Sequence, residues 1–172
     1  MDRRAWAAVC ALGLNEAVAY LVLARGTGGD NRTTSWSVNS VENYTGISRS
    51  RALCAVKRLV ECGIIRIDRL GWKPRYHLFP AHEIPGCAEK TSDPQWIWLP
   101  NALVDGAAGE TPPIELLRQS QEVGALRLLV DLYDAHSLAA DGGIPRTLIH
   151  GPSFGRGGNC WSSLGWSGRF PI

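Results

Sequence analysis

Six residues packed into ten positions carry the chemistry of this chain: Arg49, Ser50, Arg51, Cys54, Lys57 and Arg58. Arginine presents a rigid fork of donors that suits a guanine edge or a phosphate, and a serine hydroxyl can bond to either. Lysine meets phosphate as a point charge. Arg49, Ser50 and Arg51, with Cys54 one helical turn on, are placed to meet base edges. Lys57 and Arg58 are placed to hold the polyanion's backbone. Arg32 and Ser37 lie upstream and can reach phosphate, as can the amide ends of helices near Ser37 and Ser48. Downstream, Lys73 and Arg75 add two further cations. This is an inventory for recognising a polyanion, not for making or breaking bonds. No histidine falls in a Cys/His or Ser/His/Asp arrangement, and the acids are scattered. Gly151-Pro152-Ser153-Phe154-Gly155 echoes a nucleophile elbow but lacks the strand before it and the helix after it. His77, His82 and Cys87 are evenly spaced, yet three such residues match no zinc signature. The expectation is therefore no enzyme, no metal and no cofactor.

Two short helices must position these residues. Ser37 is a good N-cap for a helix through Tyr44, and Thr45-Gly46 ends it, because glycine accepts the positive φ of a tight turn. Ser48 caps a second helix, on which Ala52, Val56, Leu59 and Val60 form one apolar stripe. The six polar positions lie off that stripe. Gly63 stops the helix. The β-branched run Ile64–Arg69, the turn residues Leu70–Pro74 and the run Arg75–Phe79 then read as a β-hairpin. Thr33–Trp36 can supply a short strand to pair with it.

Two helices joined through glycine, the second basic on its outer face and followed directly by a hairpin, resemble a winged helix-turn-helix. The segment from Ile47 through Gly63-Ile64-Ile65 is similar to the recognition helix and first wing strand of MarR- and GntR-type regulators. The resemblance covers the first half of the chain. It implies binding to double-stranded DNA and, with one short helix burying little surface, a homodimer.

Charge distribution agrees. Residues 1–80 hold twelve Lys/Arg against six Asp/Glu, a net of +6, whereas the remainder is −4 within an overall +2. A basic half joined to an acidic half reads as a polyanion-binding module beside a separate module. The apolar fraction of 45% is ample for a core. Five cysteines without C-x-x-C spacing read as reduced thiols of a cytoplasmic protein.

The rest of the chain is less specific. Arg3-Arg4 and the apolar run to Leu14 imitate a secretory signal, but Asn15-Glu16 interrupts the run, which is too short to span a bilayer. Asn15 reads as the N-cap of a first helix, Glu16–Ala24, with Trp6, Val9 and Leu12 extending the helical region toward the N-terminus. Gly26–Arg32 lacks the Lys-Ser/Thr of a phosphate-binding loop and reads as a flexible connection. Residues 81–94 read as a linker, and Gln95–Pro100 alternates like a short strand. Pro112-Pro113 opens one or two helices ending near Ala140, apolar nearly all round at Leu126–Tyr133. That stretch is a candidate partial second winged helix, of the kind found in tandem in plasmid and phage replication initiators. Gly151–Ile172, rich in glycine and tryptophan, reads as an irregular and replaced or frame-shifted tail.

The fold expected is mainly α with a small β-hairpin wing: a winged helix-turn-helix over 1–80, a linker over 81–94, a helical region over 95–150 and a tail over 151–172. The function expected is sequence-specific binding of double-stranded DNA by a bacterial, phage or mobile-element regulator or initiator-like factor, with no membrane partner. A protein-interaction module on the same frame, its cations incidental, is the alternative.

Overall fold

The computed structural model describes residues 1–71, 73–87 and 95–136. Within them the chain is mainly helical with one three-stranded antiparallel sheet. In order come α1 (Arg3–Leu12), α2 (Leu14–Arg25), β1 (Thr33–Thr34), α3 (Val38–Thr45), α4 (Arg49–Glu61), β2 (Ile65–Arg69) and β3 (Arg75–Leu78). A single 3-10 turn (Ala81–Glu83), α5 (Ala102–Asp105), α6 (Pro113–Gln119) and α7 (Val123–Ala135) follow.

The core is built around α2. Every residue from Ala17 to Leu23 is buried, so this helix is apolar around its whole circumference and must be enclosed on all sides. Helices α1, α3, α4, α5 and α6 enclose it. Its start differs from expectation. Gly13, at φ 139°, is the cap, and Asn15 lies inside the first turn. A backbone that only glycine adopts without strain separates α1 from α2 and turns one apolar run into two helices.

The sheet order is β1-β3-β2. Thr33 pairs with His77 and Thr34 with Tyr76, as the short strand expected there. Across the hairpin Ile65 faces Leu78 and Ile67 faces Tyr76, and the register shifts at Asp68 so that Arg69 faces Arg75. Gly26–Arg32 is braced rather than flexible. The Gly28 amide donates to the Thr33 carbonyl at 3.1 Å, and the Asp30 carboxylate accepts from the amides of Arg32 and Thr33, each at 3.1 Å.

Residues 81–94 do not mark the boundary between two units. One compact unit spans Met1–Arg127 and a second begins at Leu128, so α5 and α6 belong with the N-terminal helices. The physical reason is backbone pairing to the N-terminal segment. Arg3 N–H donates to the Gln95 carbonyl at 2.7 Å and Ile97 N–H to the Met1 carbonyl at 2.8 Å. The Asp2 carboxylate, itself buried, accepts from the Ala81 amide at 2.9 Å. Gln95–Pro100 is thus not a strand; it contributes one antiparallel bridge, Asp2 to Trp96. Of the one or two helices expected after Pro112-Pro113 there are two, separated where Gln121 takes φ 61°. The tail at 151–172 and the segment after residue 136 lie outside the described residues. No described helix is long and apolar enough to cross a membrane.

Candidate nucleic-acid interface

Helix α3 begins with a reciprocal cap. Ser37 Oγ accepts from the Asn39 amide at 3.3 Å, and Ser40 Oγ accepts from the Ser37 amide at 3.2 Å. The helix ends at Gly46 with φ 64°, whose amide donates to the Glu42 carbonyl at 3.0 Å. Thr45, fully buried, donates its hydroxyl to the Val41 carbonyl and accepts from the Ile47 amide. The turn is therefore fixed on its inner side by side-chain bonds, and Ile47 packs into the core behind it.

Helix α4 buries Ala52, Ala55, Val56 and Leu59; Val60, expected on this stripe, is only half-buried. At 3.6 residues per turn, Ser50, Cys54 and Lys57 then line the exposed meridian, with Arg51 and Arg58 along one flank and Arg49 and Leu53 along the other. All seven are exposed. Gly63, at φ 67°, ends the helix, and the Ile64 amide donates back to the Leu59 carbonyl at 3.0 Å. The chain passes straight into β2, so hairpin and helix share one closing turn.

The polar residues expected at the site are not equally available. Arg51, Lys73 and Arg75 are exposed, and their side chains hold no ion pair or hydrogen bond among the described residues. Lys57 lies 3.7 Å from Glu61 one turn on, and Arg58 lies 3.6 Å from Glu16 of α2. The Lys57 pair faces solvent and contributes about 0–1 kcal/mol, little enough for a phosphate to displace the carboxylate, whereas the Glu16 side chain is largely buried and shields its pair with Arg58. Arg49 bonds to Asn39 Oδ1 and lies 3.9 Å from Glu42, so it ties α4 back to α3. Ser50 and Cys54 are exposed on the meridian, Cys54 as a free thiol.

Three expected residues serve the frame instead. Ser37 uses its hydroxyl in the cap. Ser48 occupies the N-cap position of α4 but makes no side-chain bond to a helix amide; its Oγ sits 3.3 Å from Ser50 Oγ. Arg32 is held by Glu83 at 3.1 Å and stands beside the sheet. The pairings of Arg32 and Arg58 join residues far apart in the chain, which a periodicity cannot reveal.

Other residues join the site unannounced. Leu53, 57% exposed, sits on the basic face of α4. Arg69 faces Arg75 across the hairpin, its Nε donating to the Lys73 carbonyl at 3.0 Å, and Leu70 at the tip is 75% exposed. Arg118 of α6 donates from Nε to the Thr45 carbonyl at 2.9 Å. Of His77, His82 and Cys87, His77 meets Phe79 edge-on and His82 lies 3.4 Å from Glu83. No cluster of three metal-ligating side chains occurs among the described residues.

Comparison of the chain with protein-family models, with curated proteins and with solved structures gives no match.

Proposed function

We propose that this chain is a winged helix-turn-helix protein that binds double-stranded DNA, with α4 entering the major groove and the β2–β3 hairpin acting as the wing. The observation that carries the reading is where its uncommitted cations fall. Arg51 on α4 and Arg69, Lys73 and Arg75 on the hairpin have no carboxylate partner among the described residues, whereas Arg49, Lys57, Arg58 and Arg66 on the same two elements and Arg25 and Arg32 elsewhere are ion-paired. Cations without a carboxylate partner on a helix and its adjoining hairpin offer a polyanion contacts that need no internal ion pair broken. Arg51 and Ser50 are the residues for base edges, and Lys57, Arg58 and the hairpin cations are those for phosphates. A regulator or an initiator-like factor of a bacterium or mobile element is the role this implies, acting as a dimer on paired half-sites.

A second reading draws on Leu53. A leucine exposed among the cations of α4 also suits a protein partner, with the same frame used as an interaction module. Duplex binding at two salt concentrations separates the two, with Arg49, Arg51 and Lys57 replaced together by alanine as the control. DNA binding requires affinity that falls steeply with salt and is lost in the triple variant. Affinity absent at low salt, or indifferent to the three changes, overturns it in favour of the protein partner.

A further inference from the structure

A cavity of about 310 Å³ opens between the end of α2 and the segment leading into α5. Its floor is apolar and well buried, formed by Leu21, Ile97 and Leu103. Its rim is different. Trp98 lines it yet leaves 64% of its surface exposed, and Asn31 and Asn101 stand beside it. Neither carboxamide has a hydrogen-bond partner among the described residues. Arg25 is the one charged side chain in the lining, and Asp105 neutralises it, accepting from Nε at 3.1 Å and from Nη2 at 2.6 Å.

The geometry points to a binding site for an uncharged, planar heterocycle, and specifically for an adenine base. An exposed indole face beside an apolar floor favours a flat ring that stacks. Each unpartnered carboxamide offers a donor and an acceptor in one plane, the pattern that pairs with the N6/N7 edge of adenine. Both cations of the lining are engaged: Arg25 is held by Asp105, and the Met1 ammonium, whose charge burial disfavours, donates to the Ile97 carbonyl at 2.9 Å, so a ligand carboxylate has to displace Asp105 or compete with that carbonyl. The volume lies at the lower end of the range of about 300–1,000 Å³ typical of small-molecule sites, so it suits a base or nucleoside and not a larger cofactor. The base can come from a free nucleoside or from an unpaired nucleotide in a strand. The site lies on other residues than those assigned to duplex DNA, and its test needs no duplex.

The experiment is calorimetric titration of the full chain with adenosine, with a single-stranded pentanucleotide of deoxyadenosine, and with benzoate. Trp98→Ala and the double variant Asn31→Ala/Asn101→Ala serve as controls; these side chains are exposed, so the fold is retained. Expected is saturable one-to-one binding of adenosine, weakened by about tenfold or more in each variant, with benzoate far weaker. Binding of the pentanucleotide without adenosine, equally sensitive to the variants, supports the same site with a strand as its source. No binding of either adenine probe, binding that ignores both variants, or benzoate binding as well as adenosine overturns the proposal.

Discussion

Arg118 of α6 reaches the carbonyl of Thr45, 73 residues earlier in the chain, and closes the turn between α3 and α4 from outside. The same turn holds Gly46, and a Cβ there meets Glu115 Oε1 at 3.0 Å and Arg118 Nη2 at 3.3 Å. A helix C-terminus leaves carbonyls without partners, and an arginine there satisfies one while complementing the helix dipole. Arg118→Ala therefore leaves a half-enclosed carbonyl unbonded and costs about 1–3 kcal/mol. Denaturant unfolding measures the loss, and hydrogen exchange locates it. Amides of Gly46 to Arg49 exchange faster in the variant while those at the centre of α2 change least. Uniform acceleration along the chain places the effect elsewhere.

Gly26 is fixed by close approach. A Cβ at this position would lie 2.2 Å from Trp36 Cγ. Trp36 cannot retreat, because its other neighbour is Tyr44, stacked at 4.8 Å with the rings 5° from parallel, while the Arg25 guanidinium lies 5.6 Å from its centroid. Gly26→Ala is expected to destabilise by about 1–3 kcal/mol through overpacking. Trp36→Ala also destabilises, but the double variant costs less than the two single changes added together. Additive losses in thermal or urea unfolding show that the contact is not the cause.

How much of this was legible in the sequence follows from the range of each interaction. Ser37, Gly46, Gly63 and the spacing of Ala52, Val56 and Leu59 act within a few residues, and they specified α3, its turn and α4 to within a residue or two. The β-branched run Ile64–Arg69, the turn residues after it and the run Arg75–Phe79 specified the hairpin in the same way. Gly13 was hidden inside an apolar run, because one glycine among small residues does not disturb a periodicity. Ala55 joins the buried stripe with no signal in its residue type, since alanine suits either face. Arg118 on Thr45, Arg58 on Glu16 and Arg32 on Glu83 are set by tertiary packing alone. Part of the candidate site was therefore readable as residue types, while the division between free and committed cations was not.

Asp30 gives the loop after α2 a defined acid response. Its carboxylate accepts from Thr33 and from the amide of Arg32, and these bonds lower its pKa to about 2. A depressed carboxylate contributes stability that is fully present above the ordinary aspartate value of about 4. That contribution fades as pH falls toward about 2. The Thr33 amide resonance is expected to hold steady above this window and to shift through it, following Asp30. In Asp30→Asn the Thr33 shift is absent. Movement of Thr33 at an ordinary aspartate midpoint shows that the bonds do not form in solution.

Arg69 and Arg75 stand opposite each other near the hairpin tip, where the strands regain register after Asp68. Like charges directly across a ladder destabilise it by about 0.2–1 kcal/mol. Neither guanidinium has a carboxylate nearby among the described residues. The proposed role makes sense of the arrangement, since a phosphate between or beside them relieves the repulsion on binding. The two effects of Arg75→Gln then have opposite signs. The free protein gains a few tenths of a kcal/mol in unfolding experiments. Affinity for duplex DNA falls for every sequence alike, and the slope of log K against log salt becomes shallower by about 1. Arg51→Ala, on the helix, costs about 1–3 kcal/mol and relaxes sequence preference when the residue reads a base. A hairpin variant that alters preference and leaves the salt slope unchanged reverses the division of labour between α4 and the hairpin. One that leaves DNA binding untouched removes the hairpin from the interface.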